Sequence, residues 1–232
     1  MFEVEIKALV EEYSVTKDNL LNLGYNFNGK EVQLNHYFNY DDYSLAYLFN
    51  NLRTHLTTEQ ELQLSNVIGK GNTFSIRTRE INFKDAYFII KYSVIDEDSA
   101  NGTVRKELET KVNMNLDKLD YILLASGLTY SSKWSRKREV FTKQNITATI
   151  DLNAGYSYLL ELEALTDDIK ETPVLTKVVI KELDKLQLKQ LDSELLNIMF
   201  SYYENNWSKY YGTNNYLWDD LDFYKYLVKQ VF

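Results

Sequence analysis

The sequence predicts an α+β protein, and three observations carry that prediction. Short runs of alternating apolar and charged residues fill residues 2–165, helical spacings of Leu, Ile and Val follow Thr166, and Asn101-Gly102 marks a hairpin between two of the runs. Residues 2–9 alternate as a first strand. A short helix follows, capped by Ser14, striped by Leu20, Leu21 and Leu23, and ended by Gly24. Val32–Tyr40 fits a second strand. Asp41–Asn72 reads as an insertion with a helix near Thr58–Ile68, opened by a Thr57…Gln60 capping box and stopped by Gly69. Strands are expected at Thr73–Asn82, Ala86–Val94 and Thr103–Val112, then a helix from an Asn115 cap through Ala125, closed by Gly127. Lys133–Thr142, Asn145–Leu152 and Tyr158–Leu165 complete the strands. Beyond them Pro173 sits at a first helical position, the helical spacing runs to Trp207, and Trp218–Gln230 forms a last helix.

Composition removes several function classes. The chain has 232 residues, 44% of them hydrophobic, enough to bury a core. It contains no Cys, which removes disulfides, thiolate catalysis and Cys-ligated zinc together. His36 and His55 are its only histidines, too few for a His-built metal site. Lys and Arg number 26 against 34 Asp and Glu, a net charge of −8 that repels nucleic-acid backbone. No stretch approaches the ~18 uncharged apolar residues of a membrane span. Glu3 and Glu5 argue against a signal peptide, so a cytoplasmic location is expected, without membrane or nucleic-acid partners.

The strands carry charge on one face each. Glu3, Glu5 and Lys7 oppose Val4, Ile6 and Ala8; Arg77 and Arg79 oppose Phe74 and Ile76; Lys91 opposes Phe88, Ile90 and Tyr92. Arg105, Glu107, Glu109 and Lys111 share a face, as do Arg136 and Arg138, Thr149 and Asp151, and Glu161 and Glu163. A solvated antiparallel face accounts for any one of these strands alone. An ordinary solvated face mixes Ser, Thr and Gln with its charges, and these faces are almost wholly acidic and basic. If the sheet curls into a barrel, the charged faces line a wet tunnel with an acidic wall and a basic wall. Carboxylates suit Mg²⁺ or Mn²⁺ held jointly with phosphates, and Arg suits bidentate grip on phosphate oxygens. The implied ligand is a compact polyanion carrying divalent cations.

The order of these motifs resembles the CYTH, or triphosphate tunnel metalloenzyme, superfamily. Glu3-Val-Glu5-Ile-Lys7 resembles its ExExK signature, followed by Tyr37-Phe38, Arg77-x-Arg79, Lys91, Arg105-x-Glu107-x-Glu109, Arg136-x-Arg138 before Phe141, Asp151, and Glu161-x-Glu163, over residues 1 to about 165. The resemblance implies a closed eight-stranded antiparallel β-barrel, a tunnel with a charged interior, over residues 1–166 with the 41–72 insertion. Helices pack outside it, and a helical C-terminal extension, 167–232, packs on the barrel. It implies metal held by Glu3, Glu5, Glu161 and Glu163 with Asp151 alongside, and triphosphate held by Lys7, Arg77, Arg79, Lys91 and Arg138. Arg136 stands where relatives often have Lys, Arg105 is a further contact, and Glu107 and Glu109 orient the basic residues. The chain departs from the pattern at Asn35, where many relatives carry an acid, and in the length of the insertion.

The implied activity is Mg²⁺- or Mn²⁺-dependent hydrolysis of a small triphosphate-containing substrate, with the basic wall stabilising charge on the transferred group. A class IV adenylyl cyclase needs the same clamp plus an adenine pocket, which no residue pattern demands, and a binding module would keep the clamp without turnover. Gly69-Lys70-Gly71 lacks the P-loop frame and reads as a turn. His36 is expected to face outward or pack beside Tyr37. The aromatic tail, Tyr202 to Trp218, reads as helix packing; a homodimer through it is the competing hypothesis.

Overall fold

The structure, a computed structural model, describes residues 2–94 and 104–231. In chain order it runs β1 (Phe2–Leu9), α1 (Tyr13–Asn22), β2 (Asn26–Asn39), α2 (Asp42–Leu52), α3 (Thr58–Lys70), β3 (Gly71–Ile81), β4 (Asp85–Val94), β5 (Val104–Val112), α4 (Leu116–Ala125), β6 (Thr129–Lys143), β7 (Ile146–Asn153), β8 (Ser157–Thr166), α5 (Thr172–Lys185), α6 (Ser193–Asn206) and α7 (Leu221–Val231). The described residues thus form an α+β chain with eight strands in antiparallel ladders and seven α-helices. They fall into two compact units, one of Gln33–Lys133 and one of the residues up to Val32 together with those from Trp134. The Asn101-Gly102 hairpin and the Asp96–Asp98 run lie outside the described residues.

In the unit of Gln33–Lys133, β2, β3, β4 and β5 pair in that order. Alternation gives the sheet an apolar face of Phe38, Ile76, Phe88 and Ile90, which α2, α3 and α4 cover with Leu45, Leu48, Leu52, Leu64, Val67, Leu119, Ile122 and Leu123. Each such side chain, fully buried, contributes about 1.5–3 kcal/mol. The insertion therefore supplies part of this core. Its second half was legible: Thr57 and Gln60 close the capping box reciprocally. Its first half, α2, was not anticipated, although Asp41 caps it through Ser44 and Leu45, Leu48 and Leu52 lie at helical spacing.

In the other unit, β6, β7, β8 and β1 pair in that order. Val4, Ile6, Ala8, Ile146, Ala148, Ile150, Leu160 and Leu162 form the apolar face, and Leu20 of α1 with Val179 and Leu183 of α5 covers it. Pro173 stands in the first turn of α5, where its missing N–H costs nothing. The long helical spacing beyond it breaks at Gln187, whose φ of 58° no helix accepts, so α5 and α6 are separate. Trp134 of β6 stacks on Tyr203 of α6 at 3.5 Å between centroids, and Tyr203 stacks on Tyr210. Gly155 permits that approach: a Cβ there would lie 2.6 Å from the Tyr203 ring, at a φ of +85°. The hydroxyls of Tyr202 and Tyr210 both donate to Asp220. The aromatic tail is thus packed within its own unit.

Several boundaries differ from expectation: β6 starts at Thr129 and not Lys133, and α3 runs through Gly69 to Lys70, with β3 beginning at Gly71 where a turn was expected. Helix α1 starts at Tyr13 with Glu12 at the cap position and no side-chain cap bond, so Ser14 lies inside the helix. Strand β2 begins at Asn26, because Asn26–Lys30 is an extended, largely exposed segment without apolar alternation to reveal it. The last helix begins at Leu221, after a 3-10 turn at Leu217–Asp219 and an Asp220 side chain that accepts from the Asp222 N–H. Among the described residues no helix is long and apolar enough to cross a membrane.

Candidate functional site

The first charged face belongs to β1, β6, β7 and β8. Antiparallel register sets Lys7 opposite Glu161, Glu5 opposite Glu163, Thr149 opposite Glu161, and Arg138 opposite Asp151. Asp151 is completely buried and receives both arginines: Arg138 donates from Nε and Nη2 at 2.6 Å each, a bidentate pair, and Arg136 from Nη1 at 2.8 Å. Arg138 Nη2 also reaches Glu161 Oε2 at 2.6 Å, and Lys7 Nζ lies 2.9 Å from Glu161 Oε1 and against Glu5. Burial would raise the Glu161 carboxyl, but Lys7, Arg138 and Arg136 outweigh it and hold it well below the usual range. Burial likewise opposes the charge on Arg138, and Asp151 and Glu161 overcome it.

The second charged face belongs to β2, β3, β4 and β5. Arg77 donates to the Tyr37 hydroxyl at 2.9 Å, and its Nη2 lies 3.6 Å from Glu107. Lys91 lies 3.0 Å from the same Glu107 carboxylate. Arg79, 8% exposed, donates to Glu109 at 2.9 Å and to Asn35 Oδ1 at 3.0 Å. Asn35 is therefore a neutral acceptor that aligns a guanidinium, where an acid would neutralise it. The Arg77 Nε is buried and has no partner among the described residues. Glu107 is held below the usual range: burial opposes its charge, and Arg77 and Lys91 prevail. Glu107 and Glu109 are thus in contact with the basic residues they were expected to orient.

Of the candidate residues, Lys7, Glu5, Arg136, Arg138, Asp151 and Glu161 come together on the first face, with Glu163 in register beside Glu5 and Glu3 two residues along β1. Arg77, Arg79 and Lys91 come together on the second. Arg105 lies on β5, and its side chain is outside those described. His36 is on the apolar side of β2, buried, with Nδ1 2.6 Å from Asp120 Oδ2; Thr78 and Tyr130 also donate to Asp120. It lies inside the packing, against α4. One residue of the first face carried no role in the sequence reading: Thr149, on the same side of β7 as Asp151 and 6% exposed.

The anionic oxygen donors of the first face are the carboxylates of Glu5, Asp151, Glu161 and Glu163, the hard-ligand type that a divalent cation takes. Among the described residues no three acidic or His side chains form a ready-made cage. Glu5 and Glu163 nevertheless stand directly opposite on neighbouring strands, with the Lys7 ammonium already against Glu5. Two hard-oxygen donors with phosphates completing the shell is the way Mg²⁺ is ordinarily held.

No protein-family model matches the chain. A Methanocaldococcus jannaschii protein named "Putative adenylate cyclase" is 25% identical over 190 residues, covering 82% of this chain and 92% of that one. Among solved structures, PH1012 from Pyrococcus horikoshii superposes with a TM-score of 0.58 at 19% identity, over 81% of this chain and 91% of the other. A Vibrio parahaemolyticus protein with the same designation as the Methanocaldococcus one gives 0.59 at 16% identity, over 83% and 94%. The chain shares their fold. The likeness to these structures is one of architecture.

Proposed function

We propose that this chain is a divalent-metal-dependent hydrolase of triphosphate-containing substrates, which it holds against the charged faces of its strands. The observation that carries the reading is the Asp151–Arg138–Glu161–Lys7 chain of ion pairs on the first face. It is a partner-exchange site. A triphosphate with its cation brings both charges at once: phosphoryl oxygens take over Arg138, Arg136 and Lys7, while Glu5, Glu161 and Glu163, with Glu3 and Asp151 nearby, hold Mg²⁺ or Mn²⁺. Exchange of this kind leaves no buried charge unpaired, which is what makes it affordable in a dry site. The metal, when bound, supplies charge neutralisation on the phosphates. On the second face Arg77, Arg79 and Lys91, held in place by Tyr37, Asn35, Glu107 and Glu109, form a further basic set suited to phosphate oxygens, with Arg105 on the neighbouring strand. Phosphoryl transfer asks mainly for positioning and electrostatic stabilisation, and these residues provide both.

The name of the Methanocaldococcus relative supports a second reading, a class IV adenylyl cyclase in which the ribose 3′-hydroxyl attacks the α-phosphate. The clamp serves both reactions. Product analysis by phosphorus NMR separates them, with inorganic triphosphate, ATP and thiamine triphosphate offered singly with Mg²⁺ or Mn²⁺. Orthophosphate and diphosphate from inorganic triphosphate is the expected result. Pyrophosphate and cyclic AMP from ATP would make the chain a cyclase, and metal-dependent binding without turnover would make it a binding module.

A further inference from the structure

The Thr149 hydroxyl is the one buried donor of the first charged face with no hydrogen-bond partner among the described residues. The side chain is 94% enclosed, 6% remaining exposed. In register it stands between Val140 of β6 and Glu161 of β8, and Glu161 stands next to Lys7 of β1. The nearby carboxylate oxygens are already engaged: Glu161 by Lys7 and Arg138, Asp151 by Arg136 and Arg138. A valine would fill the same volume without a polar atom, so packing alone does not call for threonine here. A buried hydroxyl without a partner is a cost to the folded state. It becomes a gain when an acceptor arrives.

We propose that Thr149 Oγ1 donates a hydrogen bond to a phosphoryl oxygen of the bound triphosphate, beside the oxygens held by Lys7 and Arg138. This rests on the triphosphate reading above and adds to it a neutral, short-reach contact. Lys and Arg attract any polyanion at a distance, whereas a hydroxyl fixed to a strand backbone donates to an oxygen only at one place. Thr149 therefore sets where along the face the phosphates stop.

The test compares wild type, Thr149→Val and Thr149→Ser by calorimetric titration with a non-hydrolysable imido analogue of triphosphate and Mg²⁺, alongside thermal melting without ligand. Thr149→Val is expected to bind at least tenfold more weakly, about 1.4 kcal/mol, and Thr149→Ser within about threefold of wild type. The ligand-free melting temperature of Thr149→Val is expected to equal or exceed that of wild type, because an unsatisfied hydroxyl has been removed. Wild-type affinity in Thr149→Val overturns the proposal. So does a lowered melting temperature that serine restores, since the hydroxyl would then have a partner within the protein. Failure of wild type to bind the analogue removes the triphosphate reading and this contact with it; binding by wild type with no effect of valine removes the contact alone.

Discussion

Asp151 of β7 ties the two guanidinium groups of β6 to its own strand, and its burial makes it the most exacting residue of the first charged face. Its two oxygens accept three hydrogen bonds, from Arg138 twice and Arg136 once. Taking one partner from a buried ionic group leaves the others uncompensated, so Asp151→Asn is expected to cost about 3–5 kcal/mol, read as a lower urea midpoint. An unchanged midpoint would mean that Glu161 alone suffices to hold Arg138. The residues of both faces were legible as faces, because strand alternation assigns a side to each position without further information. What was not legible was pairing. Nothing in the order Arg136-x-Arg138…Asp151 says that both arginines converge on one carboxylate, since convergence depends on the register between β6 and β7.

At the scale of elements, three covering helices are each tied to a sheet through a buried carboxylate on the apolar side. Glu139 of β6 accepts from Tyr13 and Lys17 of α1, Glu182 of α5 from Tyr25 and from Lys143 of β6, and Asp120 of α4 from His36, Thr78 and Tyr130. Sequence pattern hid all three, because a lone acid in an amphipathic helix or strand reads as solvent-facing. Asp120→Ala would remove the acceptor that His36, Thr78 and Tyr130 share. A loss on the order of 3 kcal/mol is expected in urea unfolding, from about 1–3 kcal/mol for each unsatisfied group and partial relaxation among them. A loss below about 1 kcal/mol would show that the donors find other acceptors. Helix α2 illustrates the complementary case. Its Leu45, Leu48 and Leu52 carried a helical period, yet the segment read as insertion until the sheet face it covers was in view. Strand β2 was underestimated for the opposite reason, its first residues being extended without an apolar partner.

For the molecule as a whole, the acidic excess and the ion pairs together determine how stability responds to pH. Glu161 and Glu107 lie below the usual carboxylate range in the folded state, held there against burial by their basic neighbours. Asp220 is lowered to about 2, chiefly by the hydrogen bond from Tyr210, with Tyr202 and Lys209 adding to it against burial. A carboxyl whose folded pKa is depressed contributes stability above its unfolded value, about 4, and loses that contribution as pH falls toward the folded one. The urea midpoint is therefore expected to be level from about pH 8 to 5 and to fall progressively from there to about pH 2. A midpoint that already falls between pH 8 and 6 would mean that other groups govern stability.

The sequence by itself determined which residues are strand and helix over most of the chain, which side of each strand is charged, and that the charge is of two kinds in a fixed order. Those properties are local: they follow from a period of two or of 3.6, and a dozen residues carry each of them. Only the tertiary structure decided which charges meet, that the insertion is core, that His36 is buried against Asp120, and that the Thr149 hydroxyl is left without a partner. Those properties depend on register and on which helix lies over which face, quantities set by contacts between residues distant in the chain, as in Tyr25 and Glu182, 157 positions apart.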